Sequence, residues 1–395
     1  MAPRIASSSA LSTVAKQTLI ACLQTFSTDA LRIPTANSIA GQHFLCDRVE
    51  FRLRNQGHIF KAFGRRHQDT RHNHQKQREP ELHSSYTPES KPSQTHSCMA
   101  IEEGAAHIST AIQTALATRT GALIGRNGTI ELETLFYRLY DAKPNQTYPE
   151  TLSQRLELHA GVWPRTKDSL DKWTFDLLEA IRSCDVLVAG WYAPLKQREE
   201  ELLNTLNKGA PRIPLRSLEP YYVPPDQRWT QHLAGQRVAV VSSFAQTIES
   251  QIENRELIWP VATESLLPSA VEWIPIRTGY APVLAQGVAE WPSDIQNWSD
   301  AVRSVVTSVV ESKSSVALIG CGGLGMLIGL ELKRRGIVAI VLGGALQVLF
   351  GIKGTRWATH SVISQFWNED WVWPSKDETP NGSSHIENGC YWGKN

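Results

Sequence analysis

The sequence lacks most of the features that would assign it to a special class of protein. Its six cysteines are scattered over 395 residues without a C-x-x-C pair, which argues against a disulfide framework and against a cysteine-based zinc site. No apolar run approaches the roughly 18 residues that a membrane-spanning helix needs. The formal net charge is only +1, so the whole chain offers no electrostatic argument for nucleic-acid binding. We therefore expect neither a nucleic-acid partner nor an integral membrane segment.

Three familiar catalytic motifs are also missing. The chain contains no serine-hydrolase elbow, no Walker phosphate-binding loop and no H-E-x-x-H helix. Serine hydrolases, P-loop nucleotidases and zinc metalloproteases of these types are therefore disfavoured as function classes.

The first 98 residues lack tryptophan, since all thirteen tryptophans come after residue 160. They hold 13 Lys and Arg against 7 Asp and Glu, and from Phe63 to Ser97 nearly every residue is polar. Such a segment buries too little apolar surface to order itself. The Ser-, Thr- and Ala-rich first 45 residues suit an organelle transit peptide, and translation from Met99 is the alternative. We predict a disordered or targeting extension over residues 1–98, and a cytoplasmic protein, or an organellar one if the extension is a transit peptide.

The most informative stretch runs from Ser315 to Trp357. Val316–Ile319 is an uncharged, β-branched run that is followed at once by glycines. Met326–Arg335 has the composition of a helix, and Ile337–Leu342 is a second apolar run that ends at two more glycines. This order predicts a strand, a helix and a second, parallel strand joined by a right-handed crossover.

Apolar runs alternate with helical patterns along the rest of the chain, whereas residues 141–170 look rich in loops. The other predicted strands are Ala122–Gly125, the run after Cys184, Gln236–Val241 and Val271–Ile276. We predict an α/β fold with a doubly wound, mostly parallel, Rossmann-like sheet over residues 99–375. A polar C-terminal tail, residues 376–395, should follow, and we expect its residues 381–395 to fray.

Ligands of open α/β sheets bind beyond the carboxyl ends of the strands, so candidate residues are sought there. Arg126 ends the first predicted strand, and Glu131 lies in the first turn of the next helix, which Thr129 is expected to cap. A charged pair at this corner is either a ligand clamp or a local salt bridge. Glycines let the backbone approach a ligand closely; the candidates are Gly128, Gly322, Gly343 and Gly344.

A second set of candidates follows the last predicted strand. A helix that begins at Ala345 and contains Gln347 would point its amino end towards a ligand. Lys353 and Arg356 would bind phosphate oxygens, and Trp357 offers a flat surface for stacking. Each cation taken alone could be an ordinary surface charge, but for the set together we favour binding.

Two further stretches have polar groups suited to ligands. The turn Ser242–Thr247 carries hydroxyl groups and free amides at a helix start, which favours an anion, although helix capping is the alternative. Glu369 and Asp370 lie among three tryptophans, where acids and aromatic faces suit a sugar. Both acids are candidates for a general base or for metal ligands. Burial of these tryptophans in a C-terminal cap is the competing interpretation.

The spacing Gly320-x-Gly322-x-x-Gly325 matches a dinucleotide-binding fingerprint, but only in part. The fingerprint expects an acid near the end of the next strand to hold a ribose hydroxyl, and Ile340–Ala345 contains none. We therefore favour no dinucleotide cofactor, and we attribute Gly325 to tight packing of the helix on its strand. An NAD(P)-dependent oxidoreductase remains the alternative function.

Residues 118–392 resemble the GT-D type glycosyltransferases and their uncharacterised relatives. The family's Arg-x-Gly-Asp-x-Glu-like motif reads Arg126-Asn127-Gly128-Thr129-Ile130-Glu131 here, and the blocks GGALQVLFGIKGTRW and NEDW are also similar. The resemblance implies transfer of a sugar from a nucleotide-sugar donor to an unknown acceptor, assisted by manganese or magnesium, with Glu131 or Glu369 as the base. Thr129 stands where the family has Asp, which leaves the metal ligands unknown and keeps a non-catalytic nucleotide- or sugar-binding protein open.

Overall fold

The computed structural model describes residues 99–386 and 389–393, so the prediction for residues 1–98 lies outside it. Seven strands form one all-parallel sheet, in the order β3-β2-β1-β7-β6-β4-β5. This confirms the predicted α/β class and its Rossmann-like, parallel sheet. The strands are β1 (Ala122–Arg126), β2 (Val186–Val188), β3 (Arg212–Ile213), β4 (Arg237–Ser242), β5 (Glu272–Arg277), β6 (Val316–Gly320) and β7 (Val338–Val341).

Helices fill the connections between the strands, and none of those described is both long and apolar enough to cross a lipid bilayer. The helices are α1 (Ile101–Thr118), α2 (Thr129–Phe136), α3 (Glu150–Ala160), α4 (Lys167–Arg182), α5 (Ala193–Leu206), α6 (Leu215–Leu218), α7 (Ala245–Glu253), α8 (Arg255–Ile258), α9 (Thr263–Leu266), α10 (Pro282–Ala285), α11 (Trp298–Glu311), α12 (Gly325–Lys333), α13 (Ala345–Leu349) and α14 (Ile363–Phe366). Tyr137–Asp141 adds one π-helical turn after α2.

The first and the last strand are neighbours at the centre of the sheet, where Ile124 of β1 pairs with Ile340 of β7. Side chains alternate between the two faces of a strand. Ile124 accordingly belongs to one buried cluster with Ile108 and Ile112 of α1, whereas its neighbour Leu123 lies next to α12. The uncharged run Val316–Ile319 suits a strand that is covered on both faces, and all four of its residues are buried in β6.

Helix α12 lies unusually close to the sheet because two of its residues are glycine. A Cβ on Gly329 would come within 2.6 Å of Leu123 Cδ1, and one on Gly325 within 3.0 Å of Val341 Cγ1. The attribution of Gly325 to packing of the helix on its strand is therefore confirmed.

Residues 141–170 were expected to be rich in loops, and this holds only in part, because they also contain α3 and the start of α4. Helix α3 buries only Ser153, Leu156 and Ala160, so its sequence shows little of the apolar periodicity that reveals a helix. The stretch Ile213–Leu218 has the sequence of a short extended piece, but β3 stops before Pro214 and α6 follows.

The expectation that the C-terminal tail frays was wrong as well. Ile386, Cys390 and Trp392 are at most 3% exposed. The Cys390 carbonyl accepts a hydrogen bond of 3.1 Å from the Arg356 amide, and the Trp392 indole N–H donates to the Tyr280 hydroxyl over 3.3 Å. A few apolar side chains among many polar ones are enough to dock this segment on the core.

The narrow space under α12 leads to a test of the fold. We expect Gly329→Val to lower the free energy of unfolding by about 1–3 kcal/mol, since the added methyl groups overpack the contact with Leu123. Urea unfolding followed by circular dichroism would measure it. Gly209→Val is the control, because nothing lies within 4 Å of a Cβ at Gly209. Equal stability losses in the two variants would contradict the close approach of α12.

Candidate functional site

The carboxyl ends of β1 and β7 bring an arginine against a glycine. A Cβ on Gly343 would lie 3.4 Å from Nη1 of Arg126, and Gly343 has a φ of 59°, a left-handed conformation that favours glycine. The side chain of Arg126 therefore extends beyond the end of the sheet and across the turn that follows β7.

The guanidinium of Arg126 has an aromatic neighbour. Its central carbon is 4.9 Å from the ring centroid of Trp191, and the Trp191 indole N–H donates a 3.1 Å hydrogen bond to the Asn127 carbonyl. The guanidinium itself makes no hydrogen bond or ion pair with any residue in the described part of the chain. Its five N–H donors are thus unused by those residues, although a half-buried cation normally has partners.

Three carboxyl groups lie within electrostatic reach of Arg126, namely those of Glu131, Glu199 and Glu219. Burial raises the pKa of each, and the positive charge of Arg126 opposes the rise in all three cases. Burial raises the pKa of Glu219 to about 7, although the charges of Arg126 and Arg216 oppose the rise. The positive charge of Arg126 therefore acts on all three carboxyl groups.

Glu131 is turned back towards the start of α2. Its carboxylate accepts a hydrogen bond from its own backbone N–H and occupies the space where a side chain on Gly128 would lie. Gly128, not Thr129, is the residue that precedes the helix, so the expectation that Thr129 caps α2 was wrong. A third-position glutamate that folds over the helix start satisfies its free amides. The arrangement gives Glu131 a role in stabilising α2, and its predicted role as a base stays a prediction.

Glu199 joins the loops that follow β1 and β2. It is 1% exposed and accepts hydrogen bonds of 3.0 Å from Asn127 Nδ2 and of 3.0 Å from the Gly190 amide. Sequence analysis missed this residue. The available signal was its position on the buried side of α5, three and four residues before Leu202 and Leu203, where a charged residue needs a partner.

A second cluster that the sequence did not reveal follows α6. Glu219 is half-buried, and its carboxylate has no hydrogen-bond or ion-pair partner in residues 99–386 or 389–393. Tyr221 is 6% exposed and its hydroxyl also lacks a partner. Arg216 lies with its guanidinium carbon 5.0 Å from the ring centroid of Tyr222. The only sequence signal was an acid close to two tyrosines, Tyr221 and Tyr222.

The second set of predicted residues lies next to Gly343. A Cβ on Gly344 would be 3.3 Å from the Tyr391 ring and 3.5 Å from the Trp357 ring. The guanidinium carbon of Arg356 is 4.7 Å from the centroid of Tyr391. Contacts therefore run without interruption from Arg126 through the two glycines to Arg356. We call Arg126, Gly343, Gly344, Arg356, Trp357 and Tyr391 the phosphate rim, after the ligand that the sequence analysis predicts for this set.

Gln347 and Lys353 lie beside the phosphate rim in different roles. Gln347 Nε2 donates to the carbonyls of Lys353 over 2.8 Å and of Tyr391 over 2.7 Å, so it fixes the loop and the C-terminal segment. Its Oε1 is buried without a partner. The ammonium of Lys353 lies 5.8 Å from the centroid of Trp367.

Glu369 is not brought to the phosphate rim by any contact of the described residues. It is exposed in a turn whose neighbour Asn368 donates from Nδ2 to the Leu257 carbonyl over 2.9 Å. Trp371 is 2% exposed and donates to the Ile258 carbonyl over 3.2 Å. The tryptophan of this block thus packs as a C-terminal cap, which was the competing interpretation.

The turn after β6 is closed by the chain itself. A Cβ on Gly322 would lie 2.8 Å from the Ala160 carbonyl oxygen, and the Trp173 indole N–H donates to the Gly323 carbonyl over 3.0 Å. A ligand could not approach Gly322 from the side that faces α3. The arrangement therefore opposes both a phosphate role for Gly322 and a dinucleotide pyrophosphate at this turn.

The corner between β4 and α7 does hold an anion, but the anion is a side chain of the same protein. Glu378 is 2% exposed and accepts hydrogen bonds from the amides of Gln246, at 2.7 Å, and Thr247, at 3.2 Å. The Thr247 hydroxyl donates to it as well. The helix amino end is thus satisfied from within the chain, and a soluble anion would have to displace Glu378.

The side chains at the start of α2 do not fit a metal ion held by the protein. Thr129 replaces the acid of the resembled motif, and Glu131 faces its own backbone. Among the described residues no group of three or more His, Cys, Asp or Glu side chains is arranged to hold a metal. A divalent ion would need most of its ligands from the substrate phosphates and water.

Comparison with known proteins returned no relative: no protein-family model matches the chain, and neither a curated protein nor a solved structure matches it. The resemblance to GT-D type glycosyltransferases therefore depends on short motifs and on a Rossmann-like sheet that many enzymes share.

The carboxylate at the start of α7 leads to a stability prediction. Glu378→Ala should lower the free energy of unfolding by about 1.5–3 kcal/mol, because it leaves two amides without a charged acceptor. Asp377→Ala is the control, since Asp377 is exposed in the same turn. Chemical denaturation of both variants provides the comparison, and a loss no larger than that of Asp377→Ala would contradict the capping role.

The raised pKa of Glu219 leads to a prediction about pH. The folded chain holds this proton up to about pH 7, whereas the usual value is 4.5. Between these two pH values the folded state binds more protons than the unfolded state. The contribution of Glu219 to the free energy of unfolding is therefore largest at low pH and is lost as the pH rises towards 7. Melting temperatures of the wild type should therefore fall relative to those of Glu219→Gln between pH 5 and 7.5. The exposed Glu253→Gln is the control, and parallel curves for wild type and Glu219→Gln would contradict the shift.

Proposed function

We propose that this protein binds a nucleoside-diphosphate sugar at the phosphate rim and transfers the sugar to a hydroxyl-bearing acceptor. One observation carries the proposal: Arg126 ends a central strand with its guanidinium against Gly343, and no described residue uses its N–H donors. A guanidinium presents a planar fork that matches two phosphate oxygens. A free anion is the partner that such a group lacks.

The rest of the phosphate rim suits the same donor. Gly343 leaves room for the Arg126 guanidinium against the backbone, and Arg356 supplies a second cation beside Tyr391, whose ring lies against Gly344. The half-buried Trp191 has an aromatic ring next to Arg126, where a base or a sugar can stack, whereas Trp357 is only 8% exposed and packs beside Arg356. In this proposal Gln347 orients the loop that carries Lys353 and Arg356.

Catalysis would follow from charge stabilisation. When the bond between the sugar and the diphosphate breaks, negative charge grows on the leaving phosphate oxygen. Arg126 and Arg356 are held by neighbouring aromatic rings, so they meet that charge without first reorganising water. Removing one such preorganised donor typically costs about 10²–10³ in rate.

The same geometry gives less support to the two alternative functions. An NAD(P)-dependent oxidoreductase would need the turn at Gly322 for its pyrophosphate, and that turn faces the Ala160 carbonyl. A non-catalytic sugar- or nucleotide-binding protein is favoured only by Thr129, which stands where the resembled motif has an acid. It would bind the donor and show no turnover with manganese or magnesium.

Binding of nucleotides by the full-length chain tests the proposal. We expect at least one of UDP, GDP and CMP to raise the melting temperature, and Arg126→Ala to weaken that binding by at least tenfold in calorimetric titration. Loss of the bidentate contact is the physical reason.

The matched control is Arg303→Ala, because Arg303 is a 72%-exposed arginine of α11 outside the phosphate rim. Its affinity should stay within twofold of the wild type. A wild-type chain that binds none of the nucleotides, or an Arg126→Ala variant with full affinity, would overturn the proposed function. Stabilisation by NAD or NADP alone would favour the oxidoreductase.

A further inference from the structure

One of the three carboxyl groups near Arg126 accepts no hydrogen bond from the described residues. Glu131 is engaged with its own backbone N–H, and Glu199 accepts hydrogen bonds from Asn127 and Gly190. Glu219 has no donor among the described residues. Of the three carboxyl groups within reach of Arg126, it is therefore the one that can accept a proton from a bound molecule.

A second, independent observation lies two residues further along. Tyr221 is 6% exposed, and its hydroxyl group has no hydrogen-bond partner. Its ring is fixed between Trp259, stacked at a centroid distance of 6.3 Å, and the edge of Phe366 at 6.0 Å. Buried hydroxyl groups normally find a partner, so this hydroxyl has hydrogen-bonding capacity that a bound molecule can use. Both Glu219 and Arg126 are within its electrostatic reach.

We infer that Glu219 is the general base of the proposed transfer and that Tyr221 binds the acceptor beside it. The inference depends on the proposed function, since it names the acceptor side of the same site. Arg126 would then contact the donor phosphates while its charge also acts on the base. The acceptor is a hydroxyl compound small or slender enough to reach the cluster of Glu219, Tyr221 and Arg216.

The step balances as follows. The acceptor hydroxyl gives its proton to the Glu219 carboxylate, and its oxygen forms a bond to the anomeric carbon of the donor. The bond from that carbon to the diphosphate oxygen breaks, and both electrons stay with the diphosphate, whose added charge Arg126 and Arg356 meet. Glu219 afterwards releases the proton to water.

The surroundings of Glu219 are suited to this task. Burial raises its pKa to about 7, against the opposing charges of Arg126 and Arg216, and a base with a pKa near the working pH is the most effective. The other groups that face it are Tyr221 and, beyond Arg216, His360, whose pKa is lowered by burial and by Arg216. The rate should rise with pH as Glu219 loses its proton.

The experiment uses the full-length chain with the donor nucleotide found by titration and the matching sugar donor, with a panel of hydroxyl acceptors. Glu219→Gln should lower kcat for transfer at least 100-fold and leave the affinity for the nucleotide within threefold. Glu219→Asp should keep part of the activity. Glu253→Gln, an exposed substitution on α7, should behave as the wild type.

Two readouts separate a base from a merely structural residue. The rise of kcat/KM with pH near 7 should vanish in Glu219→Gln. Azide is an anionic nucleophile that needs no base to remove a proton. Glu219→Ala should therefore form glycosyl azide from the donor when azide is added. Circular dichroism would show that both variants fold.

Each remaining outcome has a distinct meaning. Transfer by Glu219→Gln within threefold of the wild type overturns the inference and leaves the proposed function standing. If a folded Glu219→Gln variant loses both its affinity for the nucleotide and its transfer activity, the role of Glu219 as a base is also overturned. A wild type that binds the nucleotide but transfers no sugar to any acceptor overturns the enzymatic function itself, and the inference with it.

Discussion

The pairing of β1 with β7 is the constraint on which the candidate site depends. Ala122 pairs with Val338 and Ile124 with Ile340, and this register brings Arg126 against Gly343. The two strands are separated by more than two hundred residues of sequence, so no local preference could make the contact. Burial of both strands on both faces stabilises the register, because a slip by one residue would exchange the side chains that face α1 and α12. The two glycines of α12 let this helix pack close to β1 and β7, which buries one face of both strands.

Carboxylates of the chain itself neutralise most of the places where an anion could bind. Glu378 satisfies the start of α7, Glu131 folds over the start of α2, and Glu199 joins two strand-end loops. Each contact is structural, since a buried amide without a partner costs about 1–3 kcal/mol. Arg126 is the exception at this edge of the sheet. A half-buried cation without a hydrogen-bond partner does not favour folding, which is why it is a better indicator of function than the glycine pattern.

Much of the architecture was readable from local patterns. Apolar runs between helical patterns revealed six of the strands, and the glycines after β7 marked a turn that lies against Arg126. Helix α3 was missed because only a narrow side of it is buried, and the C-terminal segment was misread because a few aromatic residues dock an otherwise polar stretch. Glu199, Glu219 and Glu378 were missed for another reason: in sequence each is one acid among many, and its partners come from distant loops.

The sequence by itself determined the α/β class, the parallel sheet and the strand ends at which a ligand could bind, because these follow from periodicity and from the positions of glycine. Only the tertiary structure decided which of those ends remain available. It closed the turn at Gly322 with α3, filled the corner at Thr247 with Glu378, and left Arg126 and Glu219 without hydrogen-bond partners among the described residues. Whether a polar group is satisfied depends on which distant atoms lie within about 3 Å of it, and no local pattern specifies that.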